Sequence, residues 1–148
     1  MSDGNIQEAY RFIVPGPAVA QARPRLTTWG GMAHAYEPKK SRDYKSYVRE
    51  CATGQGAPDE PLSGPLSLLV TEYRAIPASW AKWKRQAANE GDISPMTKPD
   101  WDNIGKAISD ALNGLIWKDD AQVIDGHVRK FYDTEPRVEI EVRKLGTE

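Results

Sequence analysis

Two acidic pairs frame one stretch of this chain, KPDWDNIGKAISDALNGLIWKDDAQV, from Lys98 to Val123. Asp100 and Asp102 open it, and Asp119 and Asp120 close it. Four carboxylates in a short unit repel one another unless positive charge sits among them, and a divalent metal is the simplest source. Carboxylates without histidine or thiolate suit Mg²⁺ or Mn²⁺ over zinc. Such a site leaves positions for water and a substrate phosphate, the requirement for metal-assisted phosphodiester hydrolysis. Lys106 cannot bind a metal while protonated, but it can neutralise charge on a scissile phosphate.

The segment between the pairs has helical spacing and is expected to run from near Asp102 to a stop at Asn113-Gly114. Ile104, Ile108, Ala111 and Leu115 then share one face, and Asp102, Lys106, Asp110 and Asn113 the other. Asp100 and Asp102 fall at the helix N-terminus, which favours negative charge. Asp119-Asp120 precedes a strand, where the chain is expected to return toward that N-terminus. Three plainer readings stand beside this one. Asp100 or Asp102 serves as an N-cap, Asp102–Lys106–Asp110 is an i, i+4 charge ladder, and Asp119-Asp120 is a turn. A calcium loop fails because Ile104 and Ala111 stand where ligands are needed.

Around this unit, 148 residues suit one domain with a hydrophobic core. Apolar residues at 39% and charged residues at 28% describe a globular chain rather than a disordered one. The net charge of −1 carries no global nucleic-acid signature, but its distribution is uneven. Arg23, Arg25, Lys39, Lys40, Arg42, Lys45 and Arg49 lie between Gln21 and Arg49, against Glu37 and Asp43 alone. With Trp29 and Tyr36 interleaved, this segment offers cations for phosphates and rings for bases; the alternative is a solvated basic loop. A single cysteine, Cys51, excludes an internal disulfide framework and a multi-cysteine zinc site. No membrane-length apolar run or signal-type leader is present, so the cytoplasm is the expected compartment.

In chain order, residues 1–9 read as a tail and Tyr10–Val14 as a strand. A long loop or loose hairpin around Gly30-Gly31 follows. Ser41 caps a helix through about Ala52, with Tyr44, Val48 and Cys51 or Ala52 on one face. A breaker-rich linker leads to a buried strand, Leu66–Tyr73. Pro77–Asn89 reads as a short helix capped by Ser79, with Trp80, Trp83 and Ala87 forming a packing stripe beside Lys82, Lys84 and Arg85. Two last strands, Gln122–Tyr132 and the alternating Arg137–Arg143, are expected to form an antiparallel hairpin. The fold class is α+β, a small mixed or antiparallel sheet with two or three helices.

The central stretch also resembles the signature of the RusA family of Holliday junction resolvases: an aspartate pair with Asn, a helical lysine, "ALNG", and "DDAQV" leading into a strand. QARPRLTTWGGMAHAYEPKKSRDYK is similar to the family's ARPR…Y.PKK segment, and RVEIEV to its terminal strand. The resemblance covers nearly the whole chain. It implies that Asp100, Asp102 and Asp120 hold Mg²⁺ (Mn²⁺ as a substitute), with Asp119 at a neighbouring acidic position. Lys106 is then the catalytic or phosphate-contacting lysine. Arg23, Arg25, Lys39 and Lys40 become the expected DNA contacts. The implied activity is a phage- or prophage-type endodeoxyribonuclease acting as a homodimer on branched DNA. Two alternatives keep part of this: a metal nuclease for other branched or linear DNA, and a non-catalytic DNA-binding protein. Lys98 and Pro99 stand where some members have arginines, and Pro77–Asn89 is absent from the shortest members.

Overall fold

The central four-stranded sheet has its most apolar strand inside. In a computed structural model describing residues 9–146, the strands are β1 (Ala9–Pro15), β4 (Leu66–Ala75), β5 (Val123–Asp133) and β6 (Arg137–Lys144). Their order is β1-β6-β4-β5. β1 and β4 each run antiparallel to β6, while β4 and β5 run parallel. The tail expected over residues 1–9 lies outside the described residues except for Ala9, which already belongs to β1.

The expected β5–β6 hairpin does not form, because β4 lies between the two strands. Burial explains the insertion. Leu66, Leu68 and Val70 of β4 are buried, whereas Ile124 to His127 of β5 are exposed. The apolar strand takes the position with two hydrogen-bonded neighbours, and the polar strand takes the edge. Parallel β4 and β5 require a crossover, which carries α2 (Lys82–Asn89) and α3 (Trp101–Leu112).

One sheet face carries the core. Phe12 and Val14 of β1 and Val138, Ile140 and Val142 of β6 point into it, as the alternation of β6 predicts. α1 (Lys39–Gly54) adds Tyr44, Val48 and Ala52; α3 adds Ile104, Ala107, Ile108, Ala111 and Leu112. Leu115 lies beyond the helix end and is only half-buried. The other sheet face carries ion pairs such as Arg11–Glu141 and Arg137–Glu139.

Three local expectations change. Pro38, not Ser41, stands at the α1 N-cap; Ser41 is buried in the first turn and its hydroxyl donates to Glu37. α2 starts at Lys82 with Ala81 before it, so Ser79 does not cap it. Its tryptophans do not form a packed stripe: Trp80 lies edge-on to Tyr132, but Trp83 is 70% exposed, and the buried alanine is Ala88.

Candidate active site

Asp100 occupies the N-cap position of α3, yet its carboxylate makes no capping bond. Asp102 lies in the first turn, and both are exposed. Among the described residues, Asp100, Asp102, Lys106 and Asp120 take part in no ion pair. The helix cap and the charge ladder are therefore both unformed. The carboxylates at this positive helix end are free for another cation.

The segment that delivers Asp100 is firmly held. The Arg74 guanidinium donates to the carbonyls of Thr97, Lys98 and Pro99 at 3.0, 3.1 and 3.2 Å. Arg74 is itself gripped by Glu72, which is almost fully buried, through two bonds of 2.9 and 3.0 Å. Lys130 Nζ adds a bond to the Thr97 carbonyl at 2.9 Å. A buried carboxylate needs a partner and its arginine has donors to spare, so one pair fixes three consecutive backbone groups. The sequence reading missed this pair; two opposite charges at i, i+2 inside an apolar strand were its signal.

The second acidic pair divides its work. Asp119 Oδ1 accepts from the Ala121 amide at 2.9 Å and caps a single 3₁₀ turn, Asp120–Gln122. Gln122 Oε1 accepts from the Lys118 and Asp119 amides, and its Nε2 donates to the Leu62 and Gly64 carbonyls. The turn reading thus holds for Asp119. Asp120 is half-buried and accepts a 2.7 Å bond from the indole of fully buried Trp117. Trp117 was also missed, although a buried indole N–H needs an acceptor and a carboxylate stands three residues on.

The two pairs do not meet within one chain. Asp120 precedes β5, whose first residue pairs with Leu66, the first of β4. α3 begins at the far end of the same strands, beside Arg74 and Lys130. Gly105 of α3 lies on Val128, so the helix runs back along β5 from that end. Val123 to Lys130 spans about 23 Å of strand at about 3.3 Å per residue. Among the described residues, no three His, Cys, Asp or Glu side chains are gathered to hold a metal. The donors still suit Mg²⁺ chemically, being carboxylates without competing cations.

The chain matches the family Endodeoxyribonuclease RusA over residues 15–143. It belongs to that family. It is also 44% identical over 140 residues to the uncharacterised protein YqaN of Bacillus subtilis (strain 168), an alignment covering 93% of this chain and 98% of YqaN. Membership in the RusA family makes this chain an endodeoxyribonuclease. None of its described helices is long and apolar enough to cross a membrane.

For a RusA-type nuclease, the basic segment stands in a useful place. Of the two readings, long loop or loose hairpin, the hairpin holds: β2 (Arg25–Trp29) pairs with β3 (Met32–Tyr36). Gly30 and Gly31 both have positive φ, +62° and +77°, as a two-residue turn of the mirror-image type demands. Trp29 stacks on His34 with centroids 3.8 Å apart, and Arg25 and Tyr36 pair across the strands. At the hairpin root, the Gln21 amide donates to the Asn103 carbonyl in the first turn of α3. Gln21 Nε2 donates to Glu37 at the other root. Hydrogen bonding from Lys45 lowers the Glu37 pKa, keeping that tether charged. Among the described residues, Arg23, Arg25 and Lys40 are exposed and make no ion pair, while Lys39 pairs with Asp43 at 2.6 Å.

Proposed function

We propose that this endodeoxyribonuclease is Mg²⁺-dependent and resolves four-way DNA junctions as a homodimer. The observation that carries the reading is a pair of uncommitted carboxylates, Asp100 and Asp102, at the start of α3, beside the root of the basic hairpin. Asp100, Asp102 and Asp120 are the proposed ligands, and Mn²⁺ is an expected substitute. When bound, the metal supplies Lewis-acid polarisation of the phosphoryl group and lowers the pKa of water. Water adds to phosphorus and the 3′ oxygen leaves, giving 5′-phosphate and 3′-hydroxyl ends. Lys106, one turn beyond Asp102, offsets charge on the attacked phosphate. Arg23, Arg25, Lys39 and Lys40 hold the DNA backbone.

A two-fold dimer answers the separation of Asp120 from Asp100. Among the described residues β5 is an unpaired edge strand with Ile124 68% exposed, suited to pairing with another copy. Antiparallel pairing of two β5 edges sets the start of one against the end of the other. The partner subunit's Asp120 then approaches Asp100 and Asp102. Two such sites related by a two-fold axis suit paired nicks on a four-way junction.

The test compares a synthetic junction with linear duplex of the same sequence, in Mg²⁺, using wild type and Asp102→Asn. Junction cleavage by wild type alone is expected. Equal cleavage by both proteins, or preference for the linear duplex, would sink the reading. Mixing Asp102→Asn with Asp120→Asn after subunit exchange probes the shared site. A heterodimer regains one intact site and nicks the junction on one strand; no recovery would exclude sharing.

A further inference from the structure

The β4–α3 crossover carries a second basic surface at the end of the sheet where Asp100 sits. Ile76, at the exit of β4, donates its amide to the Asp133 carbonyl, and α2 packs against β5. Between α2 and the β5–β6 turn lies an open cleft of about 630 Å³. Lys82, Arg85, Gln86 and Asn89 line it from α2, facing Ile76 and Thr134.

Those four α2 residues stand at i, i+3, i+4 and i+7, one face of a helix. All of them are hydrogen-bond donors and none is a carboxylate. Lys82 and Arg85 make no ion pair among the described residues. Asp133, which precedes Thr134 on the opposite wall, is occupied by Arg137 at 2.9 Å. Trp83 is 70% exposed alongside, and Lys84 lies over the Trp80 ring. Gln86 Nε2 donates to Glu90 at 3.0 Å, which leaves Lys82 and Arg85 as the face's unpaired cations among the described residues, and unpaired cations complement a polyanion. From Lys82 to Asn89 the face spans about 10 Å of helix axis. That length matches about three successive phosphates, at about 3.4 Å of duplex per phosphate of one strand.

We propose that α2 is an auxiliary DNA clamp, with Lys82 and Arg85 gripping the phosphate backbone of a duplex arm leaving the cleavage site. The inference rests on the endonuclease reading above. The cleft opens at the end of β4 that Arg74 ties to the segment before Asp100, so an arm held there runs toward those carboxylates. Arm binding is sequence-independent, because every contact is to phosphate.

The test measures binding of the full-length protein to a fluorescent four-way junction without divalent metal, from about 50 to 200 mM salt. Wild type is compared with Lys82→Gln/Arg85→Gln and with the charge-keeping Lys82→Arg/Arg85→Lys. The neutralised variant should bind more weakly, with the slope of log K against log salt shallower by about 2. Its melting temperature should be unchanged, and the charge-keeping variant should retain the wild-type slope. A neutralised variant with wild-type affinity and slope would overturn the clamp alone. Wild-type protein that binds no DNA would overturn the nuclease reading and the clamp together.

Discussion

The indole of Trp117 donates to Oδ1 of Asp120 at 2.7 Å from a fully buried position. The ring is core and its N–H is an orienting group, so one residue ties a carboxylate to the packing below it. With Asp120 as a metal ligand, as proposed, a partner of this kind typically contributes 10- to 100-fold to metal affinity or activity. Trp117→Phe keeps an aromatic ring but removes the donor. Cleavage at limiting Mg²⁺ should fall by roughly that factor and recover in part at high Mg²⁺. An unchanged Mg²⁺ dependence in the folded variant would deny Trp117 this role.

Adjacent Asp119 and Asp120 should respond differently. Asp119 spends its carboxylate on the Ala121 amide, so Asp119→Ala loses a cap and about 1 kcal/mol of stability. Asp120→Asn keeps an acceptor for Trp117 but removes the charge, so cleavage should be lost with little change in melting. Thermal melts and junction cleavage on both variants check the division. Reversed effects would exchange the two roles.

Gly105 is the close approach between α3 and β5. A Cβ added there would meet Val128 Cγ2 at 2.9 Å, too short for a normal contact. Helix propensity alone favours Gly105→Ala by about 1 kcal/mol. Overpacking typically costs 1–3 kcal/mol, so net destabilisation is expected. Adding Val128→Ala should recover part of it because the extra methyl then has room. A stabilised single variant in urea denaturation would refute the contact.

Stability should fall at acid pH. Hydrogen bonding from Arg137 holds Asp133 below its ordinary value of 3.8, and Arg143 holds Glu141 below 4.5. A carboxyl with a lowered folded pKa adds stability above its unfolded pKa. That stability is lost as pH falls through the folded pKa. Melting temperature should therefore stay nearly level from neutral pH down to about 5 and drop below about 4. Because these pairs are partly solvated, the individual contributions are modest. Arg143→Gln should flatten the acid drop, and a profile identical to wild type would remove Glu141 as a contributor.

The sequence by itself determined the local patterns of most elements and the residue types of the candidate site. Period-two burial along Arg137–Arg143 and the stripe of Ile104, Ile108 and Ala111 are local patterns, and the structure keeps them. Pro and Gly punctuation located the hairpin at Gly30-Gly31, and cross-strand pairing chose it over an unpaired loop. The carboxylates, Lys106 and the motif spacing that marks the family are properties of the chain alone.

Long-range competition decided the rest. Which strand sits between two neighbours depends on which buries most apolar surface, so β4 displaced β6 from β5. Buried polar groups must find partners wherever the fold brings them, and this produced the Trp117–Asp120 and Glu72–Arg74 pairs. Asp100 and Asp120 stand twenty residues apart in a single motif. The direction of α3 over β5 sends them to opposite ends of the sheet. Spacing can nominate ligands, but only the path of the backbone determines whether one chain brings them together.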